Sequence, residues 1–478
     1  MGYSRVVSVS GRRSPWELVG LGLLFVSILG CGDIYRPVVT SVPPVEPSSQ
    51  PQKFAVVITC GNNANTSAAT LDEICANSTV LGQASVVDFS GDLLTVRVNV
   101  GNGPRWSEIT PNINGSGGYV YSINADGTMS SFYITTQVES NNVFTSALLA
   151  NAAPNTMLPT KNYLYISQPG RNSIAVMQAS NGITAPGVFL EIPITDPTHP
   201  TAAQYPVNFV GNPNAQRIYA ISYASSQSNS DGSCSGGADG TATGIETTTN
   251  TVSSKLALGV CPVYGVMSLD DRRAFILNEN SGTVSVIDSQ QNQLDTSANL
   301  QANQPGVPAG QIQVGQGPVW ADIYNNGSIL AVVNSLSNTL TLINISEDSF
   351  GNDSPNFGQI LATVPVGKDP DSVSILQDGT RAYVANRGDG TVSVVSLTTN
   401  TVIHTIALPQ EPCTASQPNV LCNVHPVSIA ATVGTPTGKV YVVSPDTNVV
   451  SIIDTVSDTI GANLPLTGTG VQVRVTSP

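Results

Sequence analysis

Cysteine and histidine supply most of the nucleophilic and metal-binding chemistry open to a protein, and this chain has seven of the first and three of the second. The histidines are His199, His404 and His425. His404 lies inside the run TVIHTI and reads as a packed strand residue, whereas His199 and His425 each precede a proline. Two histidines so far apart make no metal cluster without carboxylates to help. There is no G-x-S-x-G, no H-E-x-x-H and no phosphate-binding glycine loop, and no EF-hand loop. The stretches Asp126-Gly127 and Gly388-Asp389-Gly390 are accounted for by hairpin turns. Neither a metal nor a cofactor is expected. A second set of residues has a proline in common: Arg105 and Trp106 follow Pro104, Tyr264 follows Pro262, Trp320 follows Pro318, Asp371 follows Pro370, and His425 precedes Pro426. Arg, Trp, Tyr, Asp and His gathered at one rim could bind a polar or sugar-like ligand. Whether they gather depends on the elements that carry them.

The first thirty-one residues read as an address. Arg5, Arg12 and Arg13 form a basic start, and the apolar run Leu18–Leu29 is too short for a permanent span but suits a signal-peptide core. Its end, Ile28-Leu29-Gly30-Cys31, resembles a bacterial lipobox, which implies cleavage before Cys31 and a diacylglycerol on its sulfur. Gly32 follows the cysteine, so the aspartate of inner-membrane retention is missing there and Asp33 stands one place late. The expectation is a signal peptide over 1–30 and a lipid-anchored tether over 31–52. The membrane partner is reached through Cys31, and an outer-membrane or cell-surface location is favoured over the inner membrane. With five prolines and few large apolar side chains, the tether cannot build a core.

Only 10% of residues are charged, while glycine (43), proline (32) and β-branched residues are abundant. That composition describes short strands joined by tight turns. A formal net charge of −14 argues against a nucleic-acid partner, since phosphate binding needs clustered Lys and Arg.

From Lys53 a repeat takes over. Its clearest copy, DSVSILQDGTRAYVANRGDGTVSVVSLTTNTVIHTIAL from Asp371, holds four strand-length segments, a to d, separated by hairpin-length turns. The b segment recurs as YVYSIN, YLYISQ, RIYAIS, RAFILN, ILAVVN, RAYVAN and KVYVVS, its central residue returning every 44 to 58 positions. The c segment recurs as TVSVID, TLTLIN, TVSVVS and SIAVMQ. Four strands at that period predict propeller blades. The residues resemble the YVTN-type (YncE-like) β-propeller repeat, most clearly in the last four copies from Pro262 and less so near Pro104 and Pro154. The expected fold is therefore an all-β propeller of four-stranded blades over 53–478, with eight blades and seven as the alternative. KFAVVIT at Lys53 lacks an a strand, and VQVRVTSP at the C-terminus is an a strand with nothing after it. Joined, they complete one blade and close the ring, removing both sheet edges. A closed ring favours a monomer.

With Cys31 set aside, six cysteines remain, an even number that favours disulfides in an exported chain. Six cysteines permit about fifteen connectivities, which the blade register narrows. Cys60 and Cys75 fall in one b–c insertion, Cys413 and Cys422 in one d–a connection, and Cys234 and Cys261 in neighbouring b–c and d–a loops. Those loops emerge on the same face, so all three bridges would staple it. With no C-x-x-C, a zinc site is a poor alternative. On that face the a strands begin, so Arg105, Trp106, Tyr264, Trp320, Asp371 and His425 are expected at the channel mouth, together with Asn155, Tyr205 and Gln472. The favoured function is a non-enzymatic binding module for a protein, glycan or small molecule. A lactonase-like hydrolase using Arg105, Arg387, Glu279, His199 and His425 is the alternative, which related propeller families imply.

Overall fold

The computed structural model describes residues 54–61, 75, 80–110, 118–134, 143–178, 187–194, 204–224, 234–324, 326–412, 421–432 and 438–476. The expected signal peptide, tether and Cys31, as well as His199 and Cys413, lie outside the described residues, as does the side chain of Cys422.

Eight four-stranded antiparallel sheets follow one another around a ring. The innermost strands are Thr469–Val475 in blade 1, Pro104–Ile109 in blade 2, Met157–Pro159 in blade 3 and Gln204–Val210 in blade 4. Pro262–Met267, Pro318–Ile323, Pro370–Ile375 and Ser428–Ala431 follow in blades 5 to 8. Blade 1 is composite: the C-terminal strand pairs with Phe54–Cys60, with Val57 opposite Val473, and the sheet continues through Leu81–Asp88 to Leu93–Asn102. Every residue of Phe54–Cys60 is buried. Sequence and structure agree on this closure and on eight blades rather than seven.

Two repeated devices explain the repeat's polar letters. The asparagine ending strand b is fully buried in blades 2, 5, 6 and 7 (Asn124, Asn278, Asn334, Asn386). Its amide donates to two hydroxyls on strand c; in blade 7, Asn386 Nδ2 lies 2.9 Å from both Thr391 Oγ1 and Ser393 Oγ. It therefore ties b to c inside an apolar sheet, where an unpaired amide would be costly. The second device joins blades. The b-strand tyrosine of one blade donates to the turn residue between c and d of the next: Tyr165 to Asn250 (2.5 Å) and Tyr219 to Asn292 (3.2 Å). Tyr383 does the same with Asp458 (2.5 Å), which Arg381 also grips at 2.7 Å. Those acceptors all sit in the left-handed region, φ 52 to 57°, which Asn and Asp tolerate best among residues with side chains.

One element is not written in the repeat. In blade 5 the outer strand is split into Gln293–Leu294 and Gln311–Gln313, both pairing with Thr283–Asp288. Between them runs the helix Ala298–Asn303, capped by Ser297, whose hydroxyl accepts from the Leu300 amide. Leu300 and Phe357, from the neighbouring blade's insertion, are buried together beside it.

Candidate site at the channel mouth

Two disulfides join Cys60 to Cys75 and Cys234 to Cys261, with Cα–Cα distances of 5.5 and 5.7 Å. They match two of the expected pairings and both lie on the face where the inner strands begin. Cys75 lines a cavity of about 190 Å³ at the centre of that face, with Pro104, Arg105, Trp106, Trp320, Asp371, Val427, Ser428, Val471 and Gln472. Arg105, Trp106, Trp320 and Asp371 are thus brought together from blades 2, 6 and 7.

The inner strands place these groups in layers. Pairing with strand b is interrupted just after the first proline in blades 2, 5, 6 and 7, and side chains then alternate in direction along each strand. In blades 2, 5 and 6 the second residue after the proline is aromatic: Trp106, Tyr264 and Trp320. Tyr264 stacks on Trp320 (4.1 Å between centroids, 14° between planes), and Trp106 approaches Trp320 to 6.2 Å. The Arg474 guanidinium lies over both indoles, 5.0 and 5.7 Å from their centroids, a cation–π arrangement. This cluster closes the channel at mid-depth. Tyr264, expected at the mouth, belongs to the plug and to a second cavity of about 340 Å³ beneath it.

That lower cavity holds the charged residues that sequence reasoning missed: Glu108, Asp322 and Arg474. Arg474 Nη2 lies 3.0 Å from Glu108 Oε1, which also accepts from Trp106 Nε1 at 2.8 Å. Burial pushes the Asp322 carboxyl up to about 6, against the Ile375 and Ile323 amides it accepts from and the nearby Arg474. Burial also holds the Tyr264 hydroxyl well above its usual range. The signal for these residues was present: each of Glu108 and Asp322 stands two places beyond a channel aromatic, hence one pleat deeper on the same face.

Above the plug, Asp371 is pushed up to about 7, chiefly by burial; Arg387 opposes the shift and Asp369 adds to it. Asp371 is half-buried in the lining of the mouth cavity. Arg105 Nε is buried with no hydrogen-bond partner among the described residues. Gln472 Oε1, by contrast, accepts from both the amide (2.7 Å) and the hydroxyl (2.8 Å) of Ser107, joining blade 1 to blade 2.

His425 does not line the cavity; it is exposed, its Nδ1 2.9 Å from Asp446 Oδ2. His404 is exposed on the outer strand Thr401–Ala407 rather than packed, because side chains on both faces of that strand are mostly open to solvent. Tyr205 stacks on Tyr223 of its own blade at 5.3 Å, and Asn155 Nδ2 donates to the Val207 carbonyl. Glu279, next to Cys261 through its amide, has its carboxyl raised by burial. Among the described residues, no three His, Cys, Asp or Glu side chains stand close enough to share a metal ion.

No protein-family model and no curated protein matches the chain. Solved structures do. The fold is similar to the dihydro-heme d1 dehydrogenase NirN in complex with DHE, at 11% identity and TM-score 0.59 over 89% of this chain and 75% of that one. It is also similar to AztD from Citrobacter koseri, at 11% identity and TM-score 0.52 over 89% and 98% of the two chains. At that identity the likeness is one of fold: an all-β propeller, as the strand pairing shows.

Proposed function

We propose that this chain is an exported, lipid-anchored YVTN-type propeller that acts as a binding module, taking its ligand in the cavity at the channel mouth. One observation carries the reading: Arg105 and Asp371, from blades 2 and 7, line a single cavity over an indole floor, Arg105 Nε without a hydrogen-bond partner among the described residues and Asp371 opposed by the Arg387 charge but hydrogen-bonded to no described residue. Unpaired charged groups in a walled space are costly to a fold, and a ligand that pairs them offsets that cost. The disulfides agree with export, since such bridges persist in oxidising compartments. The Cys60–Cys75 bridge holds Cys75 in the lining of the cavity.

Phe54 opens a strand that runs toward the mouth and so begins at the opposite face, where Thr476 N also donates to the Phe54 carbonyl. The test is a thermal-shift screen of glycans, metabolites and divalent metals on the oxidised protein, with Arg105→Gln as the control. An upward shift lost in that variant supports the reading.

A hydrolytic reading has one observation in its favour: a carboxyl titrating near 7 beside an arginine suits general acid–base work. Turnover of lactones by the protein, abolished in Asp371→Asn, would establish it in place of simple binding.

A further inference from the structure

We infer that the mouth cavity takes a small zwitterion, an α-amino acid or a close analogue, with its carboxylate on Arg105 and its ammonium on Asp371. The inference deepens the binding-module reading and rests on it.

The charges in the cavity are one guanidinium and one carboxylate. Neither makes a direct hydrogen bond or close ion pair to another described residue: Arg105 Nε is buried and unpartnered, and Asp371 feels Arg387, which does not line the cavity, only as a charge at a distance that Asp369 counters. A guanidinium presents parallel N–H donors that match a carboxylate in two-point fashion. A carboxylate that accepts nothing from the protein is matched by an ammonium. A ligand with only an acid would satisfy Arg105 and leave its charge facing Asp371; a ligand with only an amine would do the reverse. Only a ligand carrying both groups pairs both walls without adding net charge to a desolvated site.

The rest of the lining fits the same class. Between the two charged residues lie blades 8 and 1, which contribute Ser428 and Gln472. Gln472 Oε1 is already held by Ser107, and its NH₂ makes no hydrogen bond to a described residue, so it remains a donor for the ligand's carboxylate. The floor is Trp106 and Trp320, held rigid by Tyr264 and Arg474. An indole floor accepts an aliphatic or aromatic side chain by burial of apolar area. A cavity of about 190 Å³ admits a molecule of amino-acid size and excludes a longer peptide or an oligosaccharide from full enclosure.

The experiment is calorimetric titration of the oxidised full-length protein with the common α-amino acids. Each one that binds is compared with its deaminated acid and its decarboxylated amine, and neutral monosaccharides are titrated alongside. Arg105→Gln and Asp371→Asn are titrated in parallel, with Lys368→Gln, on the same face but outside the cavity, as control. The expected result is binding of at least one amino acid, weakened about tenfold or more in both one-ended analogues and in both cavity variants. Because the analogues are tested on the unaltered protein, misfolding of a variant leaves the comparison intact. A deaminated acid or an amine that binds as well as its parent overturns the inference. So does the absence of binding by any amino acid up to about 1 mM. A monosaccharide that binds where amino acids do not removes the zwitterion and keeps the binding module; lactone turnover removes the binding module itself.

Discussion

Trp106 and Trp320 stand on blades 2 and 6, opposite sides of an eight-bladed ring, yet their ring centroids are 6.2 Å apart. The hole that a ring of blades must leave at its axis is thus filled by side chains from facing walls, with Arg474 of the C-terminal strand over both indoles. Two cavities result where one open channel would otherwise run through. The upper one has paired walls of opposite charge and the lower one holds Glu108, Asp322 and Arg474.

Trp320→Ala should therefore do more than remove apolar contact. It takes away the stacking partner of Tyr264 and one of the two indoles beneath Arg474. A loss of about 2–4 kcal/mol is expected, toward the lower side of large-to-small core changes because the site is half-buried. Chemical denaturation measures the loss, and acrylamide quenching of the remaining tryptophans should rise as the cavities merge. A variant with unchanged midpoint and quenching would show that the plug closes nothing.

The closing strand makes a second prediction. Thr469–Val475 covers the edge of Phe54–Cys60 and also supplies Gln472 and Arg474 to blade 2. Deleting residues after Leu466 removes the pairing, exposes a wholly buried strand as a free edge, and leaves Glu108 without its guanidinium. Differential scanning calorimetry should show a lower or broadened transition. A cooperative melt at the full-length temperature would mean that the ring does not depend on its closure.

How far the sequence revealed all this depended on whether a residue belongs to the repeat. The b-strand tyrosines and asparagines recur in phase, so blade number, closure and two of the disulfide pairings could be read before any coordinate. What the repeat does not encode was not legible: the helix Ala298–Asn303 inside blade 5. Glu108 and Asp322 could have been placed from their spacing beyond a channel aromatic, but nothing local in the sequence pairs Glu108 with Arg474, 366 residues away. His425 shows the limit in the other direction. Its place beside Pro426 put it at the rim, but it pairs with Asp446, on the loop after strand Lys439–Val443, and does not line the cavity.

Gly367 offers a third prediction, about the repeat itself. A Cβ at this position would come within 2.5 Å of Asn386 Cγ, the amide that ties strand b to strand c in blade 7. Gly315 stands in the same relation to Asn334, at 2.8 Å. Asn386 is fully buried and bonded to two hydroxyls, so it cannot swing aside without leaving polar atoms unpaired. Gly367→Ala should destabilise by about 1–3 kcal/mol, measured by urea denaturation, and Gly315→Ala should behave alike. Gly237, exposed, with open space around it and no left-handed φ, is the control.

The fourth prediction concerns pH. Asp371 titrates near 7 in the folded chain, and burial, the largest cause, disfavours its charged form. The folded state therefore holds a proton that the unfolded state has already lost, and stability falls as pH rises through the interval between the ordinary carboxyl value and about 7. Asp322, raised to about 6 for the same reason, adds a contribution of the same sign. Asp371→Asn keeps the side chain's shape and cannot ionise, so the substitution should raise the melting temperature above pH 7 and change it little below about pH 4. The quantity to measure is the difference in melting temperature between variant and parent across that range. A difference independent of pH would mean that Asp371 is solvated as freely in the channel as in the unfolded chain. A difference that grows with pH, and that a bound zwitterion cancels in the parent alone, would tie the cost of the buried carboxylate to the ligand that relieves it.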